Sequence, residues 1–274
     1  MKTLVSKTVI VLALCLQAIS MSGQELFVFT EPASNMPAKS ISVKLSAESG
    51  HTRFSQVIQR YSPEVMWGAS RKFMIHAGGS FSNLPSSPLR PESFYVYGKY
   101  RFLSSDEVHE HFRMAAFLMA SFHKIGMRTN EISLPYDQGG VYAGVIATKL
   151  VNRLAISGSA GLQEVLDEQR WLKIYPKENS FEAITYTFSA GYLLFPKNYV
   201  SYHQPSLNLY LELLGSKNIH WSGETFFLDI APSVQLILNS RSKINLGRRL
   251  QVAGNIERLM KNRWVVGYEL IFLR

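Results

Sequence analysis

Lys44, Lys99, Arg101, Arg113, Lys149 and Arg249, together with Glu64, Glu212, Asp229 and Glu269, fall on the polar parity of long alternating segments. If each segment is a strand, one parity is one face, so these charges point to the same side as Tyr95 and Tyr97 and away from the apolar residues between them. Six cations against four acids in a confined space would favour an anionic solute, since rings of Arg or Lys select anions. The same set would equally serve as a network of paired charges filling a narrow interior, because a charge taken out of water has to be matched. A dozen strands can enclose either a small channel or a plugged lumen.

His76, His109, His111 and His123 share that parity with Met74 and Met119. Imidazole and thioether suit copper or zinc. However, His109 and His111 open one segment and His123 closes it, so the spacing does not bring four ligands to one ion. No metal or other cofactor is assigned. Lipid hydrolysis on a barrel wall would need a Ser/His pair with a polar orienter on the outward face, where the substrate lies. No His and Ser stand two residues apart there, and His76 and Ser80 both point inward, where hydrogen bonding inside the lumen accounts for them. Nor is there a phosphate loop, a zinc-protease helix motif or a CxxC, so the chain reads as a non-enzyme.

The elements that position these residues are clearest from Thr225 to Val252. Phe226, Leu228, Ile230, Val234, Leu236 and Leu238 share one parity, and after Asn239 to Ser242 the pattern resumes with Ile244, Leu246, Leu250 and Val252. This is a hairpin with one oily and one wet side, and its strands match the ~9–11 tilted residues that cross a bilayer. Similar alternation runs from Lys39 almost to the C-terminus. It includes Phe73 to Phe81, Phe94 to Phe102, Phe112 to Phe122, Leu154 to Leu162, Ile184 to Leu194, Leu207 to Leu213 and Trp264 to Phe272. The total is about twelve strands, with the faces of the run Gly139 to Leu150 least distinct. Long gaps near residues 48–58, 83–92, 123–137, 166–182, 215–224 and 254–262 alternate with short ones near 70–72, 104–107, 151–153 and 240–242, and the gap 196–204 is the exception. Such a meander, with an even strand number and both ends on the short-turn side, is the layout of a membrane barrel.

Composition agrees. The chain has 274 residues, 46% hydrophobic and 12% aromatic, with a mean hydropathy near zero, enough for one large core. The formal charge is +9; Lys2 and Lys7 supply two of these charges and residues 1–23 hold no acid, which leaves +7 on the remainder. That balance favours anionic neighbours such as phosphorylated lipid head groups, and no nucleic-acid motif accompanies it. Residues 1–23 read as a secretory signal: a basic start, the apolar run Thr8 to Leu16, then Ser20, Ser22 and Gly23. The single cysteine, Cys15, lies inside that run and follows Leu14 rather than a small residue, so neither a lipid anchor nor a disulfide is expected of the exported chain. Residues 24–38 hold Leu26 to Phe29 and two prolines, a lead-in segment or plug that could pack under or inside the body. Residues 39–274 form the barrel.

A soluble sandwich or lipocalin-like barrel also alternates, but its outward face is rich in Lys and Glu. Here the polar parity is mostly Ser, Thr, Gly, Asn, Gln and Tyr, which suits a lumen. Trp67, Phe81, Phe94, Phe102, Phe226, Trp264 and Phe272 sit at strand ends, where interfacial girdles lie. With its signal, its alternating strands and the final run Trp264 to Phe272, the chain resembles the outer-membrane β-barrel proteins of Gram-negative bacteria. It departs from them in carrying Leu273 and Arg274 after the terminal aromatic. The resemblance implies an all-β fold, an antiparallel up-and-down transmembrane β-barrel in the cell outer membrane. It also implies assembly through the C-terminal strand by the barrel assembly machinery, and contact with outer-membrane lipids and lipopolysaccharide. Passage of small solutes, anionic ones where the lumen is cation-biased, is the function expected of such a chain; a closed structural or binding barrel is the alternative, acting through loops such as Leu166 to Glu182 with Arg170, Trp171, Lys173, Tyr175 and Lys177. The charged and polar residues expected to line the lumen are Lys44, Glu64, His76, Tyr95, Tyr97, Lys99, Arg101, Arg113, Glu212, Asp229, Arg249 and Glu269.

Overall fold

The computed structural model describes residues 27–52, 55–84, 88–108, 110–123, 129–166, 181–197, 201, 203–219 and 225–273. The expected export signal, His109 and the loop residues Arg170, Trp171, Lys173, Tyr175 and Lys177 lie outside the described residues. Twelve strands follow in order: β1 (Ile41–His51), β2 (Val57–Trp67), β3 (Phe73–Ser82), β4 (Arg90–Asp106), β5 (Glu110–His123), β6 (Gly140–Val151), β7 (Leu154–Val165), β8 (Glu182–Phe195), β9 (Ser206–Asn218), β10 (Phe226–Leu238), β11 (Ser242–Gly254) and β12 (Asn262–Phe272). Each pairs antiparallel with its sequence neighbours, and β1 pairs with β12 from Ile41↔Phe272 to Gly50↔Arg263, which closes the barrel. Closure leaves no strand edge and pairs the ladder all the way round, the condition for crossing lipid with strands.

The sidedness follows from the alternation. Val43, Leu45, Val65, Val96, Leu118, Phe188, Leu211, Leu246 and Val266 are all exposed on the outer wall, while Lys99, Glu212, Asp229 and Glu269 on the other parity are buried. A water-soluble barrel would have these two sets exchanged; this exterior is solvated by acyl chains. Phe81, Phe94, Phe226 and Trp264 are exposed toward the long-loop end and Trp67, Phe102 and Phe272 toward the short-turn end. The two rims therefore carry aromatics where head groups would meet the apolar band.

Three departures from the sequence reading have local causes. β1 and β2 run past the expected gap at residues 48–58, so that only 52–56 separate them. On the outer parity there stand the polar Ser49, His51 and Gln59, and the apolar Ile58 turns inward, which breaks the apolar–polar contrast without breaking the ladder. β4 likewise runs to Asp106 because a register shift between Arg101 and Leu103 puts Phe102 and Leu103 both outside, after which pairing with β5 resumes to Asp106↔His111. A bulge of this kind shifts parity, so a strict period of two stops there. In β6 it is Thr148 that is buried, while Lys149 is exposed and pairs with Glu110 at 3.1 Å on the surface. The inward placement of Lys149 is thereby corrected: the alternation Tyr142, Ile146 and Thr148 fixes the inner parity of that strand.

Candidate functional site

The lumen is filled from both ends around a central chamber. Residues 27–38 enter between the short turns. Glu212, fully buried on β9, accepts hydrogen bonds from three consecutive backbone amides, Val28 at 3.0 Å, Phe29 at 3.1 Å and Thr30 at 2.8 Å, and from Thr30 Oγ1 at 2.7 Å. One carboxylate thus anchors a turn of backbone that would otherwise leave its amides unpaired out of water. Further along, Lys99 Nζ donates to Glu31 Oε2 at 2.9 Å and to Pro32 O at 2.8 Å. The Ala33 amide donates to Thr148 Oγ1 at 2.8 Å, and Arg113 Nη1 to Ser34 Oγ at 3.0 Å. Gly191 and Gly247 make the necessary room: a Cβ at 247 would stand 2.7 Å from the Phe29 ring, and one at 191 would stand 3.3 Å from Phe27.

From the opposite end the β5–β6 connection folds inward. Ile132 and Leu134 pack on Tyr97, Phe117 and Met119 in a buried cluster with Ala33. Tyr97, Phe117 and Tyr142 form a run of rings across β4, β5 and β6, with centroids 5.6 and 4.7 Å apart. Two arginines latch the loop. Arg60 donates to Glu92 at 2.7 Å and to Asp137 at 2.7 Å and lies over the Tyr136 ring at 4.3 Å. Arg258, from the β11–β12 connection, reaches Glu131 at 2.8 Å and Asp229 at 2.7 Å. Arg249 pairs with Asp229 too, and Arg263 lies 3.2 Å from Glu48. Burial alone would raise the Glu131 carboxyl, but Arg258 overrides it and holds the group below its ordinary value. Asp137 is instead pushed up to about 6, first by burial and then by its acidic neighbours Glu92 and Glu131, against the pull of Arg60. Burial and Glu48 together push the Tyr136 phenol up.

Between these fillings lies a cavity of about 370 Å³ lined by Lys44, Glu48, Glu64, His76, Tyr95, Tyr136, Arg249 and Arg263 among others. At ~30 Å³ per molecule it has room for roughly ten waters or one small polar solute. Of the residues expected to line the lumen, Lys44, Glu64, His76, Tyr95, Tyr97 and Arg249 border this chamber. Tyr95 donates its hydroxyl to Glu64. Lys99 and Glu212 are consumed by the N-terminal segment, Asp229 by Arg249 and Arg258, and Glu269 by Lys243 at 3.1 Å and Ser42 at 2.6 Å. Arg101 lies at the short-turn rim near Arg113, which pairs with Asp106 at 2.8 Å. His111 also meets Asp106, at 2.9 Å, far along β5 from His123. Ser80 hydrogen-bonds Glu92 at 3.1 Å and stands four residues along β3 from His76, about 13 Å away.

The parity argument missed Lys243 on the inner face of β11 and the latch: Glu131, Asp137 and Arg258 lie in connections, and Glu48, Arg60, Glu92 and Arg263 lie beyond the recognised ends of the runs. A usable signal was present in the apolar residues of otherwise polar connections, Ile132, Leu134, Ile256, Leu259 and Met260, all of them buried.

No family model matches the chain, and neither does any curated protein. Among solved structures it is similar to an outer-membrane channel from Pseudomonas putida F1, with 11% identity over 90% of this chain and 100% of that one and a TM-score of 0.57. It is also similar to the KdgM porin, with 11% identity over 85% and 99% of the two chains and a TM-score of 0.51. The β domain of the Bordetella autotransporter BrkA gives 12% identity, coverage of 86% and 100%, and a TM-score of 0.50. At these identities the likeness is one of fold: a closed antiparallel barrel of the outer-membrane kind.

Proposed function

We propose that the chain is an outer-membrane channel for small polar solutes, closed in this conformation by residues 27–38 from the periplasmic side and by the β5–β6 connection from outside. The observation that carries this reading is the polar chamber of about 370 Å³ in the middle of a lipid-facing barrel. It is bordered by two segments held through side chains rather than through strand ladders, and such contacts can be released without opening the wall. The similar structures include a porin and an outer-membrane channel, which supports the same reading. In this reading residues 1–23 direct export, the short turns are periplasmic, β12 presents Phe272 to the assembly machinery, and the girdle aromatics and basic loops meet lipid and lipopolysaccharide. No catalytic role is proposed.

The solute preference follows from what leaves with the plug. Glu31 is the only charged residue between Phe27 and Ala38. Its withdrawal uncovers Lys99 while Glu212 remains, so the open lumen gains one positive charge relative to the closed one. That shift supports preference for anions. The test is conductance in planar bilayers under a salt gradient. Wild type should open rarely, Glu212→Ala should open at least ~10-fold more often, because its loss forfeits several charge-assisted bonds worth ~1.5–3 kcal/mol each, and the reversal potential should indicate anions. A silent wild type together with a silent Glu212→Ala would reject the channel. That outcome would favour a closed binding barrel, the reading to which the dense ion pairing around Arg60 and Arg258 otherwise lends weight.

A further inference from the structure

A second site lies just below the chamber, on the short-turn side. His76 is buried on the inner face of β3, 3% exposed, and its Nε2 has no hydrogen-bond partner. An imidazole nitrogen left unpaired out of water carries a desolvation penalty, so its surroundings are informative. Its Nδ1 stands 3.6 Å from Glu64 Oε1, too long for a hydrogen bond but close enough to favour the proton on Nδ1 and leave the Nε2 lone pair available. Directly opposite His76 in the β2–β3 register is Met66, and two residues back on the same face is Met74; both are buried, at 2% and 3% exposure. Facing positions on adjacent strands bring Cβ atoms within ~5 Å, and the diagonal between Met66 and Met74 is within reach of long side chains. The fourth member comes from the N-terminal segment. The Met36 amide donates to Met74 Sδ at 3.5 Å, and Met36 Cγ would stand 3.0 Å from a Cβ on Gly68, so it is the missing side chain at 68 that lets Met36 approach.

We infer that Met36, Met66, Met74 and His76 form a binding site for a soft monovalent metal ion, copper(I) or silver(I). Three neutral thioethers and one imidazole offer no charge to a hard cation, and among the described residues no three His, Cys, Asp or Glu side chains come together to hold one. Thioether donors select copper(I) and its analogues instead. The ion reaches the site through the chamber, since His76 lines that cavity. Because Met36 belongs to the segment that fills the lumen and the other three to the wall, an ion bound to all four ties segment to wall. The inference does not depend on conduction, since a barrel that admits the ion to the chamber from one side binds it without passing it through.

Silver(I), which is inert to redox change, is the probe. Purified full-length protein in detergent is titrated calorimetrically with silver nitrate, and methyl carbon spectra of its methionines are recorded alongside. The expected result is about one ion per chain, with the methyl signals of Met36, Met66 and Met74 displaced. Affinity should fall at least ~10-fold in His76→Ala and in Met66→Leu/Met74→Leu, and stay unchanged in Met260→Leu, whose side chain packs in a separate cluster with Ile58 and Leu84. The leucine pair nearly conserves volume, so it tests the site even if His76→Ala does not fold. Equal binding by wild type and the leucine pair, or displacement of Met260 in place of the three, would overturn the assignment.

Discussion

Lys243 and Glu269 show what a single residue contributes inside this barrel. Both are almost wholly buried, and Ser42 donates a second bond to the same carboxylate. Removing one partner of such a pair strands the other, typically at ~3–5 kcal/mol, whereas replacing both with apolar groups is often neutral. Lys243→Met should therefore lower stability by about that amount in urea titrations of vesicle-folded protein. Lys243→Met/Glu269→Leu should recover most of it, and the cycle gives their interaction directly. A double variant no better than the single one would mean that the lost packing, and not the stranded charge, sets the cost. The sequence shows which face a charge occupies, because parity is local, but not which charge it meets. Lys99 reads as a lumen cation from its strand alone. Its partner Glu31 is 68 residues away in a segment whose path no periodicity announces.

At the scale of elements, the ladder was legible; of the two fillings, the N-terminal segment was expected as a lead-in or plug, and the inward β5–β6 connection was not. Leu207, Leu209, Leu211 and Leu213 against Asn208, Tyr210 and Glu212 can only be a strand with one oily face, and so they lie in β9. Among the described residues of the β5–β6 connection, Ile132 and Leu134 are the hint that it turns inward, and what holds it is an assembly of charges gathered from β2, β4, β10 and a second connection. That assembly makes loop docking depend on pH in a calculable direction. Asp137 binds its proton more tightly docked, about 6, than its ordinary value of 3.8, so its contribution favours docking below the lower value and fades as pH rises through about 6. Glu131 is depressed below 4.5, so its contribution is present above that value and is lost on further acidification. Docking should be strongest near pH 5 and weaker at pH 7.5. Protease cleavage within the connection, compared at the two pH values with enzyme activity normalised, should show faster cutting at the higher one in wild type. In Asp137→Asn, which mimics the protonated form, the difference should disappear; an unaltered difference would place the titrating group elsewhere.

The whole molecule depends on an inversion: apolar side chains face out around the full circumference, and the charged ones are paired within. A barrel so built has its lowest free energy only where acyl chains surround it, and the same wall in water would expose a contiguous apolar surface far larger than soluble monomers carry. The consequence is a strong asymmetry between neighbouring positions on one strand. Leu211, 48% exposed at the middle of β9, faces the depth where Arg or Lys on a lipid-facing strand costs ~2–4 kcal/mol, falling to ~0–1 near the interface. Lys149, exposed and paired with Glu110 near the short-turn rim, is a natural instance of the tolerated case. Leu211→Arg should accordingly destabilise the folded barrel in lipid vesicles by ~2–4 kcal/mol, while Leu154→Arg, at the first residue of β7 and so at that same rim, should cost under ~1 kcal/mol. Urea-dependent folding into vesicles, followed by tryptophan emission, measures both. Equal costs at the two depths would mean that the outer wall does not cross a bilayer at all, and the apolar face would then have to be covered by protein.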